Sequence, residues 1–188
     1  MKSVWILLSL MVTGLSSAQA GECPETLDFT LRPLASTGAP VRLCDVYAGK
    51  VLLLVNTASK CAYTPQYEGL EALSRRYADR DLVVIGFPSN DFAGQEPGTE
   101  RQIQAFCKLT YDVAFPMFEK LRVRGADAHP LYKLLALRGG GEPGWNFHKY
   151  LLGRDGRVVA AFPSAVVPDD ARLLEAIEFQ LAQPRYLQ

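Results

Sequence analysis

The 188-residue sequence has no lysine or arginine run, and its 20 basic residues are balanced by 20 acidic ones. Proteins that bind nucleic acid usually concentrate positive charge on one face, so we expect no nucleic-acid partner. Histidine is also scarce, because His129 and His148 stand alone and have no Cys-x-x-Cys partner. A metal site is therefore not expected. The sequence has no internal repeat and no low-complexity segment.

The sequence also has no apolar run long enough to span a membrane, and its N-terminus carries only a short one. Lys2 precedes the apolar stretch Ile6 to Val12, and small residues follow up to Ala18-Gln19-Ala20. This order is typical of a secretory signal peptide, whereas a membrane-spanning helix needs about 20 apolar residues. We therefore expect residues 1–20 to be a signal peptide cleaved after Ala20, with no membrane span. Residues 21–188 would form a single exported domain, periplasmic or secreted.

Two continuous apolar runs of β-forming residues predict strands buried on both faces of a sheet. They are Val51 to Asn56 and Leu82 to Phe87. Between them, Thr64-Pro65 predicts a helix start, with a hydroxyl cap followed by proline. This strand–helix–strand order predicts a right-handed βαβ unit.

The remaining elements flank that unit. Strand and turn residues predict one hairpin at the N-terminus and another near the C-terminus, and helix starts are predicted from caps. The segments are Leu27 to Leu31 with Val41 to Leu43, Phe147 to Leu152 with Arg157 to Phe162, and helices beginning at Thr99, Leu131 and Asp169-Asp170. The pattern predicts an α/β thioredoxin-like fold, with a central mixed sheet, flanking helices and an N-terminal β-hairpin.

Cys61 is the best candidate for a reactive residue. It lies between the first buried strand and the helix start at Thr64, so free backbone N–H groups and the helix dipole would favour its reactive thiolate. The strand also leads to the carboxyl edge of the sheet, where open α/β folds place their sites. The alternative is a buried, inert cysteine, but its position favours a reactive one.

Three ordered motifs resemble the signatures of the glutathione peroxidase family. The first runs from Val55 to Cys61 and on to Tyr67, the second from Phe87 to Gly98, and the third is Trp145-Asn146-Phe147. The resemblance extends from about Leu27 to the C-terminus. It implies a peroxidase that reduces hydrogen peroxide and organic hydroperoxides through a sulfenic acid on cysteine.

The family's catalytic tetrad corresponds to Cys61, Gln95, Trp145 and Asn146. An attacking thiolate expels water or an alcohol, and the other three side chains are neutral hydrogen-bond donors. They can stabilise developing charge without competing as nucleophiles. Apart from the motifs, Trp145 would be interpreted as a core residue, and Gln95 and Asn146 as loop residues.

The chain departs from the family pattern at two positions, where Ser89 replaces a cysteine and Asp91 a glutamine. A carboxylate at Asp91 would oppose a nearby thiolate if it pointed inward. The loop from Arg138 to Gly144 is short where tetrameric members carry an interface loop, so the resemblance favours a monomer.

The other cysteines bear on the reductant. Cys107 resembles the resolving cysteine of the thioredoxin-dependent branch, and core packing is its alternative role. The resemblance implies no tightly bound cofactor, with a thioredoxin-like protein or glutathione as the reducing co-substrate. Cys23 and Cys44 flank the N-terminal hairpin and either form a structural disulfide or are unrelated thiols.

Two other functions remain open for a chain of this fold. One is an exported thiol–disulfide oxidoreductase, which ordinarily carries Cys-x-x-Cys; here Thr64 stands where the second cysteine would be. The other is a metal or redox carrier, which would need a cysteine–histidine cluster.

Overall fold

The computed structural model describes residues 23–184, and the predicted signal peptide lies outside the described residues. The chain begins with a small antiparallel hairpin, β1 (Thr30–Leu31) and β2 (Val41–Arg42). These strands are shorter than predicted. Leu43, expected to end the second strand, instead begins the short helix α1 (Leu43–Tyr47). Its first and last residues are both buried, as expected for positions four apart on one helix face.

The main sheet has four strands in the order β4-β3-β5-β6. Their bounds are β3 Val51–Thr57, β4 Leu82–Pro88, β5 Lys149–Leu152 and β6 Val158–Phe162. β3 pairs parallel with β4 and antiparallel with β5, and β5 pairs antiparallel with β6. All seven residues of β3 are buried, as its unbroken apolar run predicted. The predicted mixed sheet is confirmed.

Four longer helices flank this sheet, namely α2 Gln66–Arg76, α3 Glu100–Tyr111, α4 Pro130–Gly139 and α5 Ala171–Leu181. The capping box predicted at Thr99 is confirmed. The Thr99 hydroxyl accepts a hydrogen bond from Gln102 N–H, and Thr99 N–H donates to the side-chain oxygen of Gln102. Asp170 caps α5 through Arg172 N–H. His129 caps α4, since its Nδ1 accepts from Leu131 N–H at 3.2 Å.

Two apolar layers pack on opposite faces of the sheet. Leu53 and Val55 of β3 join the layer with α2, α3 and α5, whereas Leu52 and Leu54 join the layer with α1 and α4. This alternation follows from the two-residue period of a strand. The sheet is therefore sandwiched between two layers of helices. The carboxyl end of β3 lies at one edge of this sandwich. None of the helices in residues 23–184 has the length and apolarity needed to cross a bilayer.

Candidate active site

The loop that follows β3 carries Cys61, and Thr64 gives this loop its shape. The Thr64 hydroxyl accepts from Cys61 N–H at 2.9 Å and donates to the Ala58 carbonyl at 2.9 Å. The prediction that Thr64 caps the helix was wrong, because α2 begins at Gln66, with Pro65 at the cap position and no side-chain cap. Thr64 is buried, and its hydroxyl satisfies the loop backbone instead of the helix.

Cys61 itself is a free, half-buried cysteine. Its Sγ accepts a hydrogen bond from Tyr63 N–H at 3.4 Å, and its carbonyl accepts from Thr64 N–H at 3.0 Å. The sulfur therefore sits in a turn that directs a backbone donor at it, just before α2. The residue is thus partly exposed, and the turn offers its sulfur a backbone donor for negative charge.

Gln95 and Asn146 meet at the same edge of the sheet, although 51 positions separate them. Asn146 Nδ2 donates to Gln95 Oε1 at 2.9 Å, and Lys60 N–H donates to the Gln95 carbonyl at 3.0 Å. The second bond ties the Gln95 loop to the residue next to Cys61. Asn146 is fully buried, and its Oδ1 has no partner within residues 23–184. These two amides are thus hydrogen-bonded to each other beside the cysteine loop.

The turn that carries Trp145 and Asn146 is held by the end of β3. Asn56 Nδ2 donates to the Trp145 carbonyl at 3.1 Å, and Phe147 N–H donates to the Asn56 carbonyl at 2.6 Å. Phe147 adopts a φ of 63°, a left-handed conformation that is rare for a bulky side chain. Such strain persists only where surrounding contacts over-determine it.

The indole of Trp145 remains partly exposed, at 37%. It packs against Phe92 with a ring-centroid distance of 5.5 Å. Beside it lies an open groove of about 450 Å³. The groove is lined by Tyr63, Gly144, Trp145, His148, Pro163, Ser164 and Ala165. Because Tyr63 also holds the Cys61 sulfur, this groove adjoins the cysteine.

The carboxylate of Asp91 is engaged by main-chain donors and by an arginine. It accepts from Val123 N–H at 2.6 Å and Arg124 N–H at 3.3 Å, and it lies 3.6 Å from the Arg122 guanidinium. The chain therefore uses Asp91 to hold residues 122–124. None of these partners of the Asp91 carboxylate belongs to the Cys61 loop.

A second acid near the site, Glu96, was missed from the sequence. It is buried at 1% exposure, and it accepts from the Ser59 hydroxyl at 3.0 Å. Burial raises the pKa of this carboxyl, and the Ser59 hydrogen bond partly offsets the rise. Glu96 thereby holds the start of the Ser59–Cys61 loop. Its position next to Gln95 was the only available signal.

Cys107 lies within α3 and is buried at 2% exposure. Burial raises the pKa of its thiol to about 11, so in this conformation the group is a protonated, inert thiol. Both Cys61 and Cys107 are free. The structure does not bring Cys107 into the constellation formed by the cysteine loop, Gln95 and the Trp145 turn.

Cys23 and Cys44 are joined in a disulfide with Cα atoms 5.9 Å apart. The bond ties the start of the described chain to α1. It lies beside the apolar layer on the α4 face of the sheet, away from the cysteine loop.

Residues 23–184 hold no group of three or more histidine, cysteine or acidic side chains placed to bind a metal ion. A thioredoxin-like sheet with an accessible cysteine, whose sulfur a backbone donor contacts, defines a thiol-based redox protein. The neutral amide pair beside the cysteine distinguishes this site from one built on two neighbouring thiols.

Comparison with known proteins shows to which family of thiol-based redox proteins the chain belongs. Residues 28–136 match the sequence profile of the glutathione peroxidase family. Hydroperoxy fatty acid reductase gpx1 of Synechocystis is 48% identical over 146 residues, which cover 72% of this chain and 86% of that protein. Thioredoxin/glutathione peroxidase BtuE of Escherichia coli is 41% identical over 167 residues, covering 76% and 91%.

The crystal structure of Trgpx in its apo form superposes with a TM-score of 0.66 at 38% identity, covering 85% of this chain and 97% of that one. The chain therefore belongs to the glutathione peroxidase family. It is a thiol-dependent peroxidase, an oxidoreductase that reduces peroxide. The predictions of fold, family and activity are confirmed.

Proposed function

We propose that Cys61 is the peroxidatic residue. Its thiolate attacks one oxygen of the hydroperoxide, so that an S–O bond forms as the O–O bond breaks. The sulfur becomes a sulfenic acid, and the other oxygen leaves as water or an alcohol after taking up a proton. The observation that carries this proposal is the half-buried Cys61 sulfur with Tyr63 N–H directed at it.

Gln95, Trp145 and Asn146 complete the proposed site as neutral donors. Asn146 engages the Gln95 oxygen, so the Gln95 NH2 group remains available to the peroxide. Trp145 is partly exposed, and its indole N–H is a second donor. These groups can stabilise charge on the leaving oxygen without being ionised themselves.

Cys107 is the proposed resolving residue. Its sulfur attacks the Cys61 sulfenic acid, an S–S bond forms, and the departing oxygen takes the thiol proton to leave as water. Because Cys107 is buried within α3 and its thiol is protonated, α3 must open before this step. Two thiols of a thioredoxin-like protein then reduce the disulfide, and glutathione is the alternative reductant. The name of the Escherichia coli relative includes both.

The substrates are hydrogen peroxide and organic hydroperoxides. The open groove between Tyr63 and Trp145 supports acceptance of substituents larger than hydrogen. The Synechocystis relative is named for reduction of hydroperoxy fatty acids, so a fatty acid hydroperoxide belongs in the first substrate panel.

The protein is proposed to be an exported monomer without a tightly bound cofactor. The predicted signal at residues 1–20 and the Cys23–Cys44 disulfide both favour an oxidising compartment. The mass of the protein recovered from a periplasmic or secreted fraction tests cleavage after Ala20. Size-exclusion chromatography with light scattering tests the monomer.

Mass spectrometry after one equivalent of peroxide tests the chemistry. We expect a Cys61–Cys107 disulfide in the natural chain, a Cys61 sulfenic acid in Cys107→Ser, and no peroxide consumption by Cys61→Ser. A folded Cys61→Ser chain that still turns over peroxide would refute the peroxidatic role. A Cys61 sulfenic acid that persists beside free Cys107 in the natural chain, with full turnover on glutathione, would refute the resolving role.

A further inference from the structure

Lys149, at the start of β5, is a fully buried lysine without a carboxylate partner among residues 23–184. Its Nζ donates to the Phe147 carbonyl at 2.7 Å and to Gln66 Oε1 at 2.7 Å. A buried charge is expensive unless it is paired. A methionine of similar length would occupy the same space without that cost, so packing alone does not account for a lysine here.

The two acceptors of Lys149 belong to the two halves of the active site. Phe147 directly follows Trp145 and Asn146 and has the strained φ of 63°. Gln66 is the first residue of α2, the helix that follows the Cys61 loop. Gln66 is itself fixed, since its Nε2 donates to the Ser164 carbonyl at 2.7 Å. The ammonium therefore bridges the Trp145 turn to the helix entered from Cys61.

We propose that Lys149 is a positioning residue, whose ammonium holds the Trp145–Phe147 turn against the start of α2 and so sets where Trp145 and Asn146 stand relative to Cys61. This role rests on the proposed function of those three residues. Displacements of about 1 Å in a catalytic constellation can cost about 10²-fold in rate. Loss of this bridge should therefore slow the peroxide step more than it disturbs the fold.

The bridge should also respond to pH. Burial lowers the pKa of Lys149 to about 7, and hydrogen bonds from a charged donor are about twice as strong as those from a neutral one. The bridge is thus strongest below pH 7 and weakens as pH rises through that value. The neighbouring His148 has its pKa lowered to about 4 by burial and by Lys149, and burial raises the pKa of Tyr67 in α2 well above 10.

Three further neighbours of Lys149 carry no titratable group. Gln66 faces Lys149 from α2. The register partners of Lys149 are Val55 in β3 and Phe162 in β6. A transition near pH 7 at the turn can therefore be assigned to Lys149, provided that the Cys61 thiol is removed.

Trp145 provides the readout, because the chain has only two tryptophans, Trp5 and Trp145. The test uses the full chain carrying Trp5→Phe and Cys61→Ser, so that its result does not depend on whether Cys61 reacts. We expect Trp145 fluorescence to change with a midpoint near pH 7, and Lys149→Met to abolish this transition. A flat titration in the parent chain, or the same transition in Lys149→Met, would overturn the proposal.

A kinetic arm uses the chain with Cys61 intact. We expect Lys149→Met to lower the rate constant of Cys61 oxidation by peroxide at least tenfold at pH 6, where the bridge is charged. Arg154→Met is the matched control, because Arg154 is a buried cation that binds the Gly49 carbonyl at the opposite end of β3. The control should react within twofold of the natural chain.

A Lys149→Met rate within twofold of the natural chain would also overturn the proposal. Circular dichroism and urea unfolding establish that each variant is folded. If Lys149→Met does not fold, the fluorescence titration of the parent chain decides alone, because it needs no change at Lys149. Activity retained by Cys61→Ser would overturn the proposed function while leaving the fluorescence result interpretable.

Discussion

Replacing Asn146 by alanine separates catalysis from stability. The asparagine is fully buried and makes one side-chain hydrogen bond, Nδ2 to Gln95 Oε1 at 2.9 Å. Its Oδ1 is a buried acceptor without a partner in residues 23–184. The substitution therefore removes one satisfied donor together with one unsatisfied acceptor, and it frees the Gln95 amide to rotate.

The two consequences should differ in size. A neutral hydrogen bond contributes about 1 kcal/mol net to folding, and loss of the unsatisfied acceptor offsets part of that, so we expect unfolding free energy to fall by about 1 kcal/mol or less. A lost preorganised donor typically costs about 10² in rate, which corresponds to about 2.7 kcal/mol of barrier. The rate should thus change far more than the stability.

Rapid-quench mass spectrometry of Cys61 oxidation gives the rate constant, and urea unfolding gives the stability. Gln104→Ala on α3 is a suitable control, because it removes an amide hydrogen bond of 3.0 Å to the Leu34 carbonyl. Gln95→Ala and the double variant complete a thermodynamic cycle. If Asn146 acts through Gln95, the double variant will be no slower than Gln95→Ala. An Asn146→Ala rate within threefold of the natural chain would refute this reasoning.

Three further predictions concern the scaffold. Removal of the Cys23–Cys44 disulfide, whose cysteines are 21 positions apart, should lower the unfolding free energy by about 3 kcal/mol. An unchanged urea midpoint in the double serine variant would contradict this. The pKa of Glu100 is lowered to about 2, chiefly by Arg32, so its stabilising contribution is present above about pH 4.5 and is lost as pH falls towards 2. In Glu100→Gln, the unfolding free energy should therefore fall less steeply between about pH 4.5 and pH 2 than in the natural chain. An equally steep fall in the variant would exclude the Arg32–Glu100 pair as its source. Finally, amide hydrogen exchange should be faster in α3 than in α2, and equal protection would argue against opening of α3.

The parts of the fold that could be predicted are those specified by local chemistry. The apolar run of β3, the Thr99 capping box and the Asp170 cap each depend on residues adjacent in sequence, so pattern and position sufficed. Helix α1 was missed because five residues are too few to show a helical period. Thr64 was misassigned because a hydroxyl before proline can satisfy either a helix end or a loop, and only the packed chain decides between them.

In the candidate site, too, the residues that lie in sequence motifs could be predicted, whereas those recognised only by their burial could not. Ordered motifs pointed to Cys61, Gln95 and Asn146 before any contact was known. Lys149 and Glu96 were not identified, because charged residues are usually exposed and no sequence pattern marks these two as buried. Their burial depends on closure of β5 against β3 and of the Gln95 loop against the cysteine loop. Both contacts bring together residues distant in sequence.

The two free cysteines occupy contrasting environments, which bears on the order of events in the proposed cycle. Cys61 is already half-buried and contacted by a backbone donor, whereas Cys107 is held as a protonated thiol inside a helix. Of the twelve residues of α3, only Ile103 and Cys107 are buried, and the ion pair of Lys108 with Asp112 at its end is exposed. Exposed pairs of this kind contribute little to stability. Phe106 and Tyr111 of α3 also pack against the core, so opening α3 must break these contacts, and in the proposed cycle the resolving thiol stays inert until it does.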